Sequence, residues 1–198
     1  MQAELAKKAD TWKQKCDEIS EVIGASLFLG SETSAQKLEQ LQKHGVTHIL
    51  NMTAAGKNYF PEDFAYKNVQ IEDDLKAEVL KTFPETNKFI HDARVAGGVV
   101  FVHCAVGQSR SACIVLAYLV RYGWEQVLST EGKDDAGASE CGAAAAVQVH
   151  SLRNSYDYLK TVRSLIRPNP NFMQQLISFE HELCGCSTLT LAEYKRLK

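Results

Sequence analysis

The sequence predicts an α/β domain with a central mixed, mostly parallel sheet flanked by helices. Three observations lead there. Short β-prone runs at 25–29, 46–52 and 66–71 are separated by helical or loop patterns. A further run opens the stretch 99–119 (VVFVHCAVGQSRSACIVLAYL), where strand-like residues pass through a tight loop into an apolar helix. The 198 residues, 45% hydrophobic and 23% charged, suffice for one core and show no internal repeat.

Residues 1–20 read as an extra N-terminal helix. Leu5, Ala9, Trp12, Cys16 and Ile19 form one apolar stripe, packed on the domain or offered to a second copy or a partner. Gly24 ends this region, and the strand 25–29 ends at Gly30. Ser34 is placed to cap a helix carrying Leu38 and Leu41, which stops near Gly45. The run 46–52 is a central strand, 54–64 a polar loop, and 66–71 strand again. Ile71-Glu72-Asp73-Asp74 closes that strand and opens a loop. A helix over 77–96 turns Val79, Leu80, Phe83, Ile90 and Ala93 inward, and Gly97-Gly98 stops it.

The helix 111–122 is apolar nearly all round, as a buried central helix is, with Gly123 as its C-cap. Residues 129–148 carry one large aliphatic, Val147, and read as a flexible insertion. It leaves the helix about 18 Å from its N-terminus, away from the tight loop. Helical pattern resumes at Leu152, Tyr156, Leu159, Val162 and Leu165-Ile166. Pro168 and Pro170 break it, and Asn169 or Asn171 caps a last helix with Phe172, Leu176, Ile177, Phe179 and Leu183. Residues 187–198 are a short tail, left open to a further helix. All of this makes one domain over 1–198.

The tight loop carries the chemistry. Backbone N–H groups of Ala105, Val106, Gly107, Gln108 and Ser109, and of the first helical turn, have no helical partner. They converge into an anion cradle at the positive end of the helix dipole. Cys104 stands at its base. A thiol beside a helix N-terminus and a guanidinium falls to a pKa of roughly 3.5–7.5, so Cys104 is expected as a nucleophilic thiolate. The fork of Arg110 can hold two equatorial oxygens of a phosphoryl group. Ser111 can donate to the sulfur and make it a better leaving group. His103 is structural, orienting the loop through hydrogen bonds. Hydrolysis of a phosphomonoester also needs a proton for the leaving oxygen and then a base for water, and one carboxylic acid can serve as both. Glu72, Asp73 and Asp74 are the candidates, and chemistry alone does not choose among them.

Charge and composition exclude other classes. Net charge is −2, so no nucleic-acid footprint is visible. Apolar runs fall far short of the roughly 18 residues of a membrane helix, and the N-terminus has no apolar signal core. Six irregularly spaced cysteines read as reduced thiols of a cytoplasmic or nuclear protein. Cys184-x-Cys186 with His181 is the only metal-like cluster and lacks a fourth ligand, so neither metal nor cofactor is expected.

HCAVGQSRS resembles the Cys-x5-Arg-Ser/Thr signature of the cysteine-based protein tyrosine phosphatase superfamily, in the form of the dual-specificity phosphatases. The resemblance runs over about 20–183. Leu27-Phe28-Leu29-Gly30-Ser31, Thr47-His48-Ile49-Leu50-Asn51 and Pro168-Asn169-Pro170-Asn171-Phe172 with Gln174-Gln175-Leu176 are similar to further family segments. It implies a phosphatase-like fold and a stand-alone, atypical member. It also implies that Asp73 is the general acid, with Asp74 second: Ile71-Glu72-Asp73 precedes Phe83-Pro84, and Asp73 lies 31 residues before Cys104 (104 − 73). The implied activity is hydrolysis of phosphotyrosine and phosphoserine/threonine through a cysteinyl phosphate, with a MAP kinase or other signalling phosphoprotein as partner. Uncharged Ala105, Val106, Gln108 and Ser109 favour phosphoproteins over lipid or RNA 5′ phosphates. A phosphate-binding module without turnover is the alternative of a different class.

Overall fold

The computed structural model describes residues 2–123 and 150–197. The expected insertion 129–148 lies outside them. Among the described residues five strands form one sheet in the order β1-β2-β5-β3-β4. They are β1 (Ser20–Ile23), β2 (Leu27–Ser31), β3 (His48–Asn51), β4 (Ala65–Asn68) and β5 (Val100–Cys104). β1 pairs antiparallel with β2, and the other pairings are parallel. The mixed, mostly parallel sheet is thus as expected.

The helices are α1 (Gln2–Asp17), α2 (Glu32–Ala35), α3 (Leu38–Lys43), α4 (Phe83–Val95), α5 (Arg110–Tyr122), α6 (Leu152–Val162), α7 (Pro170–Cys184) and α8 (Leu191–Arg196). α5 lies at the centre of the larger core, with Ser111 to Val120 all buried. α4, α6 and α7 surround it. On the other sheet face Phe28, Ile49 and Phe101 pack with Ala35 of α2 and Leu41 of α3. Side chains alternate along β5, so Val100, Val102 and Cys104 face the α5 core while Phe101 faces the second one.

Three expectations are corrected. The helix expected over 1–20 stops at Asp17, and Ser20–Ile23, where no strand was expected, is strand: four residues are too few to show a period, and pairing with β2 decides their conformation. The helix start near Ser34 is capped by Ser31 instead, in a reciprocal box with Ser34, and the segment splits into two short helices. The helix expected over 77–96 begins as a 3-10 turn, Val79–Thr82, because Pro84 must sit in the first turn of α4. The tail carries the short helix α8, and its Leu189 and Tyr194 are fully buried. Among the described side chains of α1, residues 9–15 are exposed, and Cys16 and Asp17 near its end are partly covered.

Candidate active site

β5 ends at Cys104 and α5 begins at Arg110, so the intervening loop is fixed at both ends. Its carbonyls are held from outside. Ala105 O accepts from Glu32 N at 3.2 Å, Gln108 O from Arg167 N at 2.8 Å, and Ser109 O from Cys113 N at 2.8 Å. Val106 O and Gly107 O accept from Arg163, at 3.2 and 2.8 Å. In a trans peptide the N–H points opposite to the C=O. Turning the carbonyls outward therefore aims the amides of 106–110 into the cradle. Gly107 has φ +72°, and a Cβ there would lie 2.4 Å from Gly30 O, so only glycine fits.

Cys104 Sγ sits at the floor, buried. It accepts from Gly107 N at 3.3 Å and from Ser111 Oγ at 3.1 Å. Burial pushes the thiol up. The Ser111 hydroxyl and amide, the Arg110 charge and the Gln108 amide together outweigh burial, and its pKa falls below 9.0. Arg110 Nη1 donates to Ile71 O at 3.2 Å, which binds it to the loop that follows β4. Its Nε is buried with no hydrogen-bond partner among the described residues. Such a donor is available to an anion.

The three carboxylate candidates separate. Asp73 Oδ1 accepts from Ser109 Oγ at 2.7 Å and from Asn169 Nδ2 at 2.8 Å, so this carboxylate meets the rim of the cradle. Asp74 Oδ1 is used locally, accepting from Lys76 N at 2.8 Å and Ala77 N at 2.7 Å. Glu72 is exposed. Asn169 also settles the cap of α7, accepting from Phe172 N at 2.9 Å, while Asn171 Nδ2 donates to Ala77 O at 2.8 Å.

His103 departs from expectation. Neither ring nitrogen has a hydrogen-bond partner of ordinary geometry among the described residues. Burial pushes its pKa down to about 4, and the Cys104 backbone offsets this only in part. The ring is neutral and held by packing, stacked on Phe101 at 5.7 Å and 14°. The strand's alternation puts both rings on the same face, which is why they meet.

Arg163 was missed by the sequence reading. It is 3% exposed. Besides the two loop carbonyls, it donates to Glu18 O at 2.9 Å, Ser20 Oγ at 3.2 Å and Cys16 O at 3.3 Å. One guanidinium thus ties the cradle to the junction of α1 and β1. The signal was present: 152, 156, 159 and 163 follow helical spacing, so a charged residue continues the apolar stripe at the residue just past the end of α6. Among the described residues no group of three or more His, Cys, Asp or Glu is arranged to hold a metal ion. No described helix is long and apolar enough to cross a membrane.

A strand-borne thiol beneath inward amides, with an arginine at the helix start, defines a cysteine-based phosphatase domain on a protein tyrosine phosphatase-like sheet. The dual specificity phosphatase catalytic domain family matches residues 27–128, and the chain belongs to it. The chain is 39% identical over 155 residues to protein phosphatase Slingshot homolog 3 of Rattus norvegicus, covering 78% of this chain and 20% of that protein. It is 38% identical over 154 residues to protein phosphatase Slingshot of Drosophila melanogaster, covering 77% and 12%. The chain thus spans a fifth or less of the length of these curated relatives. Human DUSP28 superposes with a TM-score of 0.67 at 28% identity, over 83% of this chain and 94% of that one.

Proposed function

We propose that the domain hydrolyses phosphotyrosine and phosphoserine/phosphothreonine in proteins, in two steps that pass through a cysteinyl phosphate. The Cys104 thiolate attacks phosphorus, forming the S–P bond as the bond to the leaving oxygen breaks. Asp73 gives that oxygen its proton. Arg110 and the amides of 106–110 bind the equatorial oxygens as charge spreads over them. Asp73, now a carboxylate, takes a proton from water, which attacks the cysteinyl phosphate. Ser111 donates to the departing sulfur, and inorganic phosphate leaves.

The observation that carries this reading is the placement of Cys104 Sγ between Gly107 N and Ser111 Oγ, with Asp73 fastened to the rim by Ser109. The test is hydrolysis of p-nitrophenyl phosphate by this chain. Turnover that vanadate inhibits, EDTA leaves alone and Cys104→Ser abolishes supports it; an inert folded wild type removes it. A panel of phosphopeptides then assigns residue preference. We extend the reading to a phosphorylated MAP kinase or other signalling protein as substrate, in cytoplasm or nucleus. Self-association through α1, whose Trp12 is 46% exposed, belongs to the same reading and is tested by sedimentation with and without Trp12→Glu.

A further inference from the structure

The segment after α7 folds back onto the domain. Glu180, fully buried, accepts from Thr188 N at 2.8 Å and Thr188 Oγ1 at 2.6 Å. Thr190 caps α8 in a reciprocal box with Glu193. Together they set Tyr194 beneath the turn joining α6 to α7. Its ring meets Tyr156 edge-on at 5.5 Å and 90°, and its hydroxyl donates to the carbonyl oxygen of Pro168. Burial raises the phenol's pKa, so it stays a donor.

The Pro168–Asn169 peptide unit is therefore held at both ends. Its oxygen accepts from Tyr194, and its N–H donates to Ser109 Oγ at 3.0 Å. Ser109 Oγ in turn donates to Asp73 Oδ1. The Asn169 side chain reaches the same carboxylate oxygen and the Asp74 carbonyl, the latter at 3.3 Å. A chain of donors runs from the C-terminal helix to Asp73, and each bond polarises the next. The peptide plane is rigid, so fixing its oxygen fixes the direction of its N–H.

We propose that Tyr194 is a positioning residue for the general acid: through the Pro168–Asn169 peptide and Ser109 it aims the Asp73 carboxyl at the leaving oxygen. The proposal rests on the assignment of Asp73 as that acid. It makes α8 part of the active site's support.

The test uses leaving groups. A poor leaving group such as the phenol of phenyl phosphate needs the acid's proton, and p-nitrophenolate scarcely does. In Tyr194→Phe, kcat/KM for phenyl phosphate falls about 3- to 10-fold, the worth of one hydrogen bond, while p-nitrophenyl phosphate changes less than about twofold. Added to Asp73→Asn, the same substitution costs nothing further. The ratio between substrates is read within one preparation, so a smaller folded fraction does not alter it. An equal loss on both substrates, or none, overturns the proposal. If Asp73→Asn itself leaves the ratio unchanged, the acid assignment fails and the proposal with it. If Asp73→Asn changes the ratio and Tyr194→Phe does not, the proposal alone falls.

Discussion

Ser109 Oγ donates to Asp73 Oδ1 at 2.7 Å, closing the loop that carries Asp73 onto the loop between Cys104 and Arg110. The contact distinguishes Asp73 from its neighbour, because Asp74 spends its Oδ1 on the amides of Lys76 and Ala77.

Asp73→Asn lowers kcat/KM for phenyl phosphate by about 10²-fold or more, the usual contribution of a general acid. Asp74→Asn loosens the turn before the 3-10 helix and costs far less turnover. Steady-state kinetics on both variants checks this, and a crippled Asp74→Asn beside a healthy Asp73→Asn reverses the assignment.

Ser111→Ala raises the Cys104 pKa. The hydroxyl is the largest of the contributions that lower it, and it is lost while burial remains. Alkylation of the wild-type thiol by iodoacetamide, followed against pH, has its midpoint below the ordinary thiol value, and the midpoint moves up in the variant. A midpoint that does not move separates Ser111 from the sulfur.

His103 makes folding pH-sensitive. Its folded pKa is about 4 against 6.5 in the open chain. Between those values the unfolded chain binds a proton that the folded one does not, so stability falls as pH drops from 6.5 to 4. Over the whole window this amounts to about 3 kcal/mol, with no further change from this group below it. Urea unfolding at pH 7 and pH 5 measures the slope, and His103→Gln flattens it. Equal slopes in the two proteins remove His103 as the source.

Arg163→Met leaves the carbonyls of Val106 and Gly107 without their donor, and those of Cys16 and Glu18 as well. Unmade hydrogen bonds of this kind cost about 1–3 kcal/mol each when buried. Unfolding free energy drops by at least about 2 kcal/mol, and vanadate binds more weakly because the amides are no longer held inward. Arg163→Lys does not restore either, since a point charge cannot span five acceptors. Retained vanadate affinity in Arg163→Met contradicts this account of the loop.

The local chain determined the centre of this protein. A β-prone run, a glycine-bearing loop and an apolar helix specify strand, cradle and buried helix through short-range sterics. Cys104, Arg110 and Ser111 follow because seven consecutive links leave them little freedom. Candidate acids were legible as a triplet, since a turn shows its carboxylates but not the direction in which each points. Tertiary structure decided the rest. Asp73 differs from Asp74 only because Ser109 and Asn169, distant in sequence, supply donors at one spot. β1 exists because β2 offers it an edge. Arg163 and Tyr194 acquire their roles from acceptors more than 20 residues away. Pairing across such distances depends on how whole elements pack, and no pattern of neighbours in the chain encodes it.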